Sequence, residues 1–309
     1  MHKPSPSYPR CPSCASKRTK KKGVRKTRYD VRQRYGCNAC GCTFTAGVTK
    51  RSSYPVKLIM EGISRYNLGY AARETLQYLR RRFSLPVPEK TFRRWYTTHK
   101  LLCTYHHIRA RIHQRYPPRE LVEKRPLQHR QVYLYQLHHG KLDLLFSLAR
   151  HRAYQPLKDY LLSVPRPDFP HHLFTGDVSD RSSNYPTLLT ARVTRRESYA
   201  TGLAALALQV AISNKKRHDA VERFMLLNDS ATVAIEVPIY LTPEDFTALR
   251  SQGFTFPFGA NPITGHIDLL QIRSGYVRIL DYKPEAKAEK HVVTQLTIPR
   301  LSRGLVLER

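Results

Sequence analysis

The chain has 309 residues, 41% of them hydrophobic, and a formal net charge of +30 from 53 Lys and Arg against 23 Asp and Glu. That length holds two or three domains with a core. So lopsided a charge is costly in self-repulsion unless a polyanion relieves it, which puts nucleic acid first among partners, although ribosomal and membrane-surface proteins share such a charge. Five of the six cysteines lie before residue 43, which argues for a metal site in a reducing compartment and against a disulfide scaffold. The polar, Pro-rich N-terminus lacks the apolar run of a signal peptide. No uninterrupted apolar stretch approaches the roughly 20 residues of a membrane span. The expectation is a cytoplasmic, nucleoid-associated protein with no membrane partner.

Cys11-Pro12-Ser13-Cys14 and Cys37-Asn38-Ala39-Cys40 form two C-x2-C pairs 22 residues apart. Each pair makes a tight turn whose thiolates take adjacent corners of a tetrahedron around zinc. The intervening segment is too polar to fold by burial, so metal binding must supply much of its folding energy. Cys42, two positions past Cys40, is expected outside the tetrad. Between residues 3 and 51 there are fourteen Lys or Arg and one acid, Asp30, a charge suited to phosphate contact. Arg34-Tyr35-Gly36-Cys37, followed by Cys40-Gly41-Cys42-Thr43-Phe44, resembles the zinc ribbon at the front of insertion-sequence transposases.

Residues 55–95 show helical periodicity. Val56, Ile59, Met60 and Ile63 make an apolar stripe that breaks at Asn67-Leu68-Gly69, a helix stop. A second helix is expected over 70–83, with Ala71, Thr75, Tyr78 and Leu79 inward and Arg80, Arg81 and Arg82 at its C-terminus, where cations suit the dipole. A short third helix begins after Pro88. In it Phe92 and Trp95 are expected inward, leaving Lys90, Thr91, Arg93 and Arg94 to face a DNA groove. Three short helices with a cationic last one resemble a helix-turn-helix, and ribbon plus helix-turn-helix resembles the insertion-sequence transposase layout. Asp143, Asp177 and Asp180 do not assemble into the Asp-Asp-Glu core that should follow.

Residues 101–170 are rich in His, Tyr and Arg and broken by prolines. Leu134, Leu137, Leu142, Leu145 and Leu148 suggest one or two amphipathic helices over 131–150. The adjacent pairs His138-His139 and His171-His172 are expected at interfaces or facing phosphate rather than on a metal. Cys103 reads as a packed small hydrophobe. Arg192, Arg195 and Arg196 are basic enough to touch a nucleic-acid backbone. The apolar run 200–213 reads as a buried helix, continuing into 214–224 and bringing His218 to its exposed end.

The stretch 263–295 carries the chemistry. Period-2 alternation over 267–272, a break at Ser274-Gly275 and a renewed apolar run over 276–282 read as a β-hairpin. Asp268 lies in the first strand, where an unpaired charge is expensive unless coordinated or hydrogen-bonded. Asp281 and Lys283 close the second and, two residues apart, point to one face. Two converging carboxylates can hold a hard divalent cation. An ammonium beside them can orient a water or neutralise charge developing on a phosphate.

Gly265-His266-Ile267-Asp268, twelve further residues, then Asp281-Tyr282-Lys283 resemble the PD-(D/E)XK nuclease superfamily, in particular its RecB-like branch. That resemblance implies a helical His, for which His218 is the candidate. It also implies an acid on the preceding strand, matched by Glu236, and a downstream Gln, matched by Gln295. The family pattern after that glutamine often reads Gln-Leu-x-x-Tyr, whereas here Pro299 follows within four residues. By the same resemblance, His218, Asp268 and Asp281 would bind Mg²⁺ or Mn²⁺, Lys283 would position the attacking water, and Glu236 would add a carboxylate.

The expected fold class is a multidomain α/β chain: a zinc ribbon at 1–52, a helix-turn-helix-like module at 53–104, a basic helical connector at 105–170, and a PD-(D/E)XK mixed-sheet core with flanking helices at 171–309. The expected function is a DNA endonuclease of a mobile element or defence system, acting on double-stranded DNA. A homodimer or a partner nuclease or transposase would supply a second cut. A non-catalytic DNA-binding protein and an Asp-Asp-Glu transposase are the alternatives.

Overall fold

The computed structural model describes residues 9, 11, 13–14, 16–29, 31–45, 53–175, 178–182, 198–208, 217–251 and 261–283. The chain forms two compact units, the first built on Met1–Tyr66 and Tyr70–His99, the second on Asn67–Gly69, Lys100–Ala207 and Ile212–Arg309. The architecture is mixed α/β, with one three-stranded sheet, one six-stranded sheet and helices.

In the first unit, β1 (Thr19–Lys26), β2 (Val31–Cys37) and β3 (Thr43–Thr45) form an antiparallel sheet in the order β1-β2-β3. Beyond Thr19 every residue of β1 is exposed, so this sheet has little apolar burial of its own. Three helices follow: α1 (Val56–Asn67), α2 (Ala72–Phe83) and α3 (Glu89–His99), each where the apolar spacing places it. Leu58, Ile59, Ile63, Leu79, Phe92 and Trp95 are buried among them. The contact is close at Gly62, where a Cβ would lie 3.0 Å from Leu79 and 3.3 Å from Phe92. Thr75 and Leu79 point inward as expected, but Tyr78 is only half-buried and Ala71 is exposed at the N-cap.

The second unit begins with α4 (His106–His113) and the hairpin β4 (Val122–His129) and β5 (Gln131–His138). The expectation of helices across 131–150 is therefore corrected: its first eight residues are a strand, and helix begins only with α5 (His139–Phe146). The leucine spacing matched a helical stripe, but Val132, Tyr133 and Tyr135 favour a pleated strand. They pair in register with β4 across a one-residue turn at Arg130, whose φ is 54°. The segment 105–170 is accordingly not a helical connector. With α6 (Gln155–Ser163) it supplies two strands and two core-packing helices to the second unit.

The remaining elements are β6 (Asp180–Arg181), α7 (Tyr199–Leu208), α8 (Arg217–Asn228), β7 (Thr232–Leu241), α9 (Pro243–Ser251), β8 (Ile263–Arg273) and β9 (Tyr276–Leu280). The sheet runs β4-β5-β7-β8-β6, with β9 also on β8. All pairings are antiparallel except β6 with β8. The apolar helix expected over 200–213 is present as α7; its continuation toward 217 lies outside the described residues. The turn Ser274-Gly275 has φ of 53° and 80°, the left-handed pair that matches strand twist in a two-residue hairpin.

One sheet face packs Val237, Ile239, Ile267 and Leu270 against Leu142, Leu157 and Leu161. Asp229, fully buried after α8, accepts from Thr232 N (3.0 Å), Gln271 Nε2 (2.8 Å) and Arg273 Nη2 (2.6 Å). These bonds lock α8 to β7 and β8. Lys141, buried on α5, donates to the carbonyls of Leu226 and Thr232. His138, fully buried, caps α5 by accepting from Lys141 N, and His139 lies 3.0 Å from Glu123. Among the described residues no helix is long and apolar enough to cross a membrane.

Candidate metal sites

Among the described residues, side chains with metal-ligand character gather in two places, one in each unit. In the first unit the Sγ atoms of Cys11, Cys14, Cys37 and Cys40 all lie within 4.8 Å of one another. The pairs Cys11–Cys40 and Cys14–Cys37 are each 3.6 Å apart, close to the edge of about 3.8 Å that a tetrahedron with Zn–S near 2.3 Å requires. Backbone N–H groups of Ser13 and Ala39 point at the sulfurs of Cys11 and Cys37. The four cysteines therefore form a site that zinc fits. Cys42 is not part of this foursome; its sulfur accepts from Ser13 Oγ at 3.2 Å. Arg34 on β2 and Lys90, Arg93 and Arg94 on α3 are all exposed, although Glu89 holds the Arg93 guanidinium at 2.7 Å.

The second site lies at the bottom of a cavity of about 670 Å³ in the second unit. The β8–β9 hairpin places Asp268 on β8 and Asp281 one residue past the end of β9. On β7, Glu236 lies between the pairs Ile235↔Leu269 and Val237↔Ile267 and so faces Asp268. Glu236 lies within the strand, as expected of the acid there, and its φ of 51° is left-handed. Helix α8 contributes His218, whose Nε2 is 2.7 Å from Asp268 Oδ2 and whose Nδ1 is 2.7 Å from Glu222 Oε1 and 4.0 Å from Glu236 Oε1. Lys283 Nζ stands 3.3 Å from Asp281 Oδ1, and Tyr282 N–H donates to Asp268 Oδ2 at 2.9 Å. Asp268, Asp281, His218, Glu236 and Lys283 thus converge. Gln295, Asp177, Arg192, Arg195 and Arg196 lie outside the described residues.

Sequence inspection missed Glu222. It is one helical turn from His218, a spacing that puts both on one face, yet an i,i+4 acid reads locally as an ordinary surface pair. Here it is 2% exposed. Also unexpected is the cavity wall from the β4–β5 hairpin, including His129, Arg130 and Tyr133. His129 Nδ1 is 2.9 Å from His266 Nε2, its Nε2 is 2.9 Å from His171 Nδ1, and Tyr133 stacks on His266 at 3.6 Å. Asp143 contacts Tyr116 and Lys158 and does not line the cavity.

The electrostatics follow from crowding acids in a dry place. The Asp268 hydrogen bond, then that of Glu222, outweighs burial and raises His218 to about 11. Burial alone would push Asp268 up, but His218, Asp281 and Tyr282 N–H hold it below the usual carboxylate range. Burial, followed by the hydrogen bond and charge of Asp268, lifts Asp281 to about 7, with Lys283 pulling the other way. Burial, then the charges of Glu222 and Asp268, lifts Glu236 to about 9. Such a cluster is costly unless protons or a cation compensate it.

A divalent cation fits these donors. The ligand atoms of His218, Asp268 and Asp281 lie within 4.8 Å of one another, as do those of His218, Glu222 and Glu236. Oxygen-rich sets with one imidazole suit Mg²⁺ and Mn²⁺. Asp281 Oδ1 is buried, with Lys283 Nζ 3.3 Å away. No family model matches this chain, and no curated protein or solved structure does either.

Proposed function

We propose that the second unit is a metal-dependent deoxyribonuclease that hydrolyses phosphodiester bonds, with a PD-(D/E)XK-like site. The observation that carries this reading is the convergence of Asp268, Asp281 and His218 with the ammonium of Lys283 beside them. The order α8, β7, β8, β9, with its acids on β7, β8 and the end of β9, also matches what the resemblance implies. His218, Asp268 and Asp281 are the residues that would hold Mg²⁺ or Mn²⁺. The ion would supply Lewis acidity at the phosphoryl oxygen and acidify the attacking water. Lys283, 3.3 Å from Asp281 Oδ1, would donate to that water or offset charge developing on the phosphoryl oxygens. Arg130, Arg181 and Arg223, exposed on the cavity lining, offer cations to the flanking phosphates.

The zinc-ribbon-like sheet and the three helices of the first unit serve, in this reading, to hold duplex DNA. Both Arg34 and the α3 cations Lys90 and Arg94 are presented to solvent, and the whole-chain charge is +30. The biological setting proposed is a mobile element or defence system in the nucleoid, with a homodimer or partner nuclease or transposase making the second cut. Plasmid incubated with the protein and Mg²⁺ should be nicked or linearised. Asp281→Asn and Lys283→Ala should each abolish cutting while DNA binding persists. Undiminished cutting by both variants would overturn the assignment. Binding without cutting by the wild type would leave a non-catalytic DNA-binding protein, and strand-transfer products a transposase.

A further inference from the structure

We infer that the β4–β5 hairpin is a wedge that unstacks duplex DNA, with Val132 and Leu134 pressed against a base beside the phosphate to be cut. This deepens the nuclease reading and rests on it for the phosphate; the wedge rests on the hairpin itself. Side chains alternate between the two faces of a strand. On β5 one face is spoken for: Tyr135 is fully buried, and Tyr133 stacks on His266 with ring centres 3.6 Å apart. The other carries Val132 and Leu134, which are 62% and 43% exposed and line the same cavity as Asp268, Asp281 and Lys283. A strand face turned to water is ordinarily polar. Two aliphatic side chains there offer nothing to a phosphate, but they suit the apolar face of a base, as inserted Leu and Ile side chains do when they unstack a base step.

The hairpin is also built to stay stiff. β5 pairs with β7 through Gln136 and Leu137, whereas its whole length pairs with β4, so its outer half leaves β7 and walls the cavity. The tip is fastened from several sides. His129 lies 2.9 Å from both His266 and His171, and its ring stacks on Phe174. Arg130, at the turn, donates to the carbonyl and hydroxyl of Ser179. A wedge works only if it does not yield when bases press on it, and these contacts hold the tip in place. The cavity, at about 670 Å³, falls among small-molecule pockets of roughly 300–1,000 Å³. It takes a nucleotide but not a duplex, so a phosphate that reaches the acids must leave its paired neighbour behind. Arg181 and Arg223, exposed on the same lining, complement the backbone charge of that strand. An apolar pair beside exposed cations therefore fits an unpaired nucleic-acid strand.

The test compares a fully paired duplex with the same sequence carrying a central unpaired bubble, using the zinc-loaded full chain and Mg²⁺. Val132→Ser combined with Leu134→Ser should slow cutting of the paired duplex about tenfold or more, the scale on which the cost of unstacking a base step appears in a rate. Cutting of the bubble should stay at the wild-type rate, because the strand is already open. Val132→Ile combined with Leu134→Met should restore the paired substrate, with circular dichroism establishing that both double variants are folded. Equal losses on both substrates would mark a merely structural role and overturn the inference, as would undiminished cutting of the paired duplex by the serine variant. Binding is read separately, in the Asp281→Asn background, with paired duplexes that carry 2-aminopurine at successive positions. Its fluorescence should rise at one position and fail to rise when both serines are present; no rise at any position overturns the wedge. A rise that the serines abolish, without cutting of either substrate by the wild type, would uphold the wedge and sink the nuclease reading. Cutting without any rise would do the reverse.

Discussion

Glu236 is maintained at the expense of the fold, and replacing it should make the metal-free protein more stable. Its left-handed backbone, at φ 51° within β7, costs a non-glycine residue roughly 1–2 kcal/mol. Its carboxyl, lifted from 4.5 to about 9 chiefly by burial, must hold a proton at pH 7 that the unfolded chain releases, at a cost of at most about 3 kcal/mol. Glu236→Gly removes both penalties, while glycine's extra freedom in the unfolded chain takes back about 0.5–1 kcal/mol. The variant should therefore be more stable by about 2–4 kcal/mol at pH 7 in zinc-containing buffer free of Mg²⁺ and Mn²⁺. Glu236→Gln keeps the backbone strain and should fall short of that by about 1 kcal/mol.

The pH dependence has a defined sign. A carboxyl raised in the fold contributes most below 4.5, and that contribution is lost as pH rises through about 9. The advantage of the variant should therefore grow between pH 5.5 and pH 8. Urea denaturation followed by circular dichroism at those two pH values measures it. Saturating Mn²⁺ should narrow the difference, by at most the roughly 2.7 kcal/mol that an ion at a hundredfold its Kd supplies to the wild type. A glycine variant no more stable than wild type at pH 8, or an advantage that does not grow with pH, would refute this account.

Other outcomes follow from the same structure. Burial pushes His266 down to about 3 and His129 to about 4, so stability present above 6.5 should be lost as pH falls through that interval. His266→Gln should flatten the dependence of melting temperature on pH between 3.5 and 6.5, and an unchanged slope would contradict it. Cys37→Ser should release about one zinc per chain by elemental analysis and unfold the β1–β3 sheet, because that sheet buries too little to stand without metal. Lys90→Ala with Arg94→Ala should weaken DNA binding for all sequences and reduce the slope of log affinity against log salt by about 1.8. Arg93→Ala should do less, since Glu89 already engages its guanidinium.

Several elements were legible from local pattern alone. The cysteine knuckles are turns of four residues, so their spacing already specifies how the sulfurs converge. The β8–β9 hairpin is written in period-2 alternation around Ser274-Gly275, and a two-residue turn sets the register that brings Asp281 to Asp268. The helices of the first unit follow from apolar spacing and from the breaks at Gly69 and Pro86. Where local pattern conflicted with pairing, it misled: Leu134 and Leu137 sit at helical spacing, but β5 is decided by its partner strands β4 and β7.

What the amino-acid sequence determined by itself, then, is the set of groups whose geometry depends on neighbours a few residues away. Only the tertiary structure decided that Glu222 is buried against His218, that Glu236 on β7 faces Asp268, and that the β4–β5 hairpin walls the cavity with His129 and Tyr133. Those positions rest on the long-range packing of α8 against the sheet and on the pairing of β5 with β7 within it. The energy of a buried charge is set by every group around it, wherever in the chain that group lies.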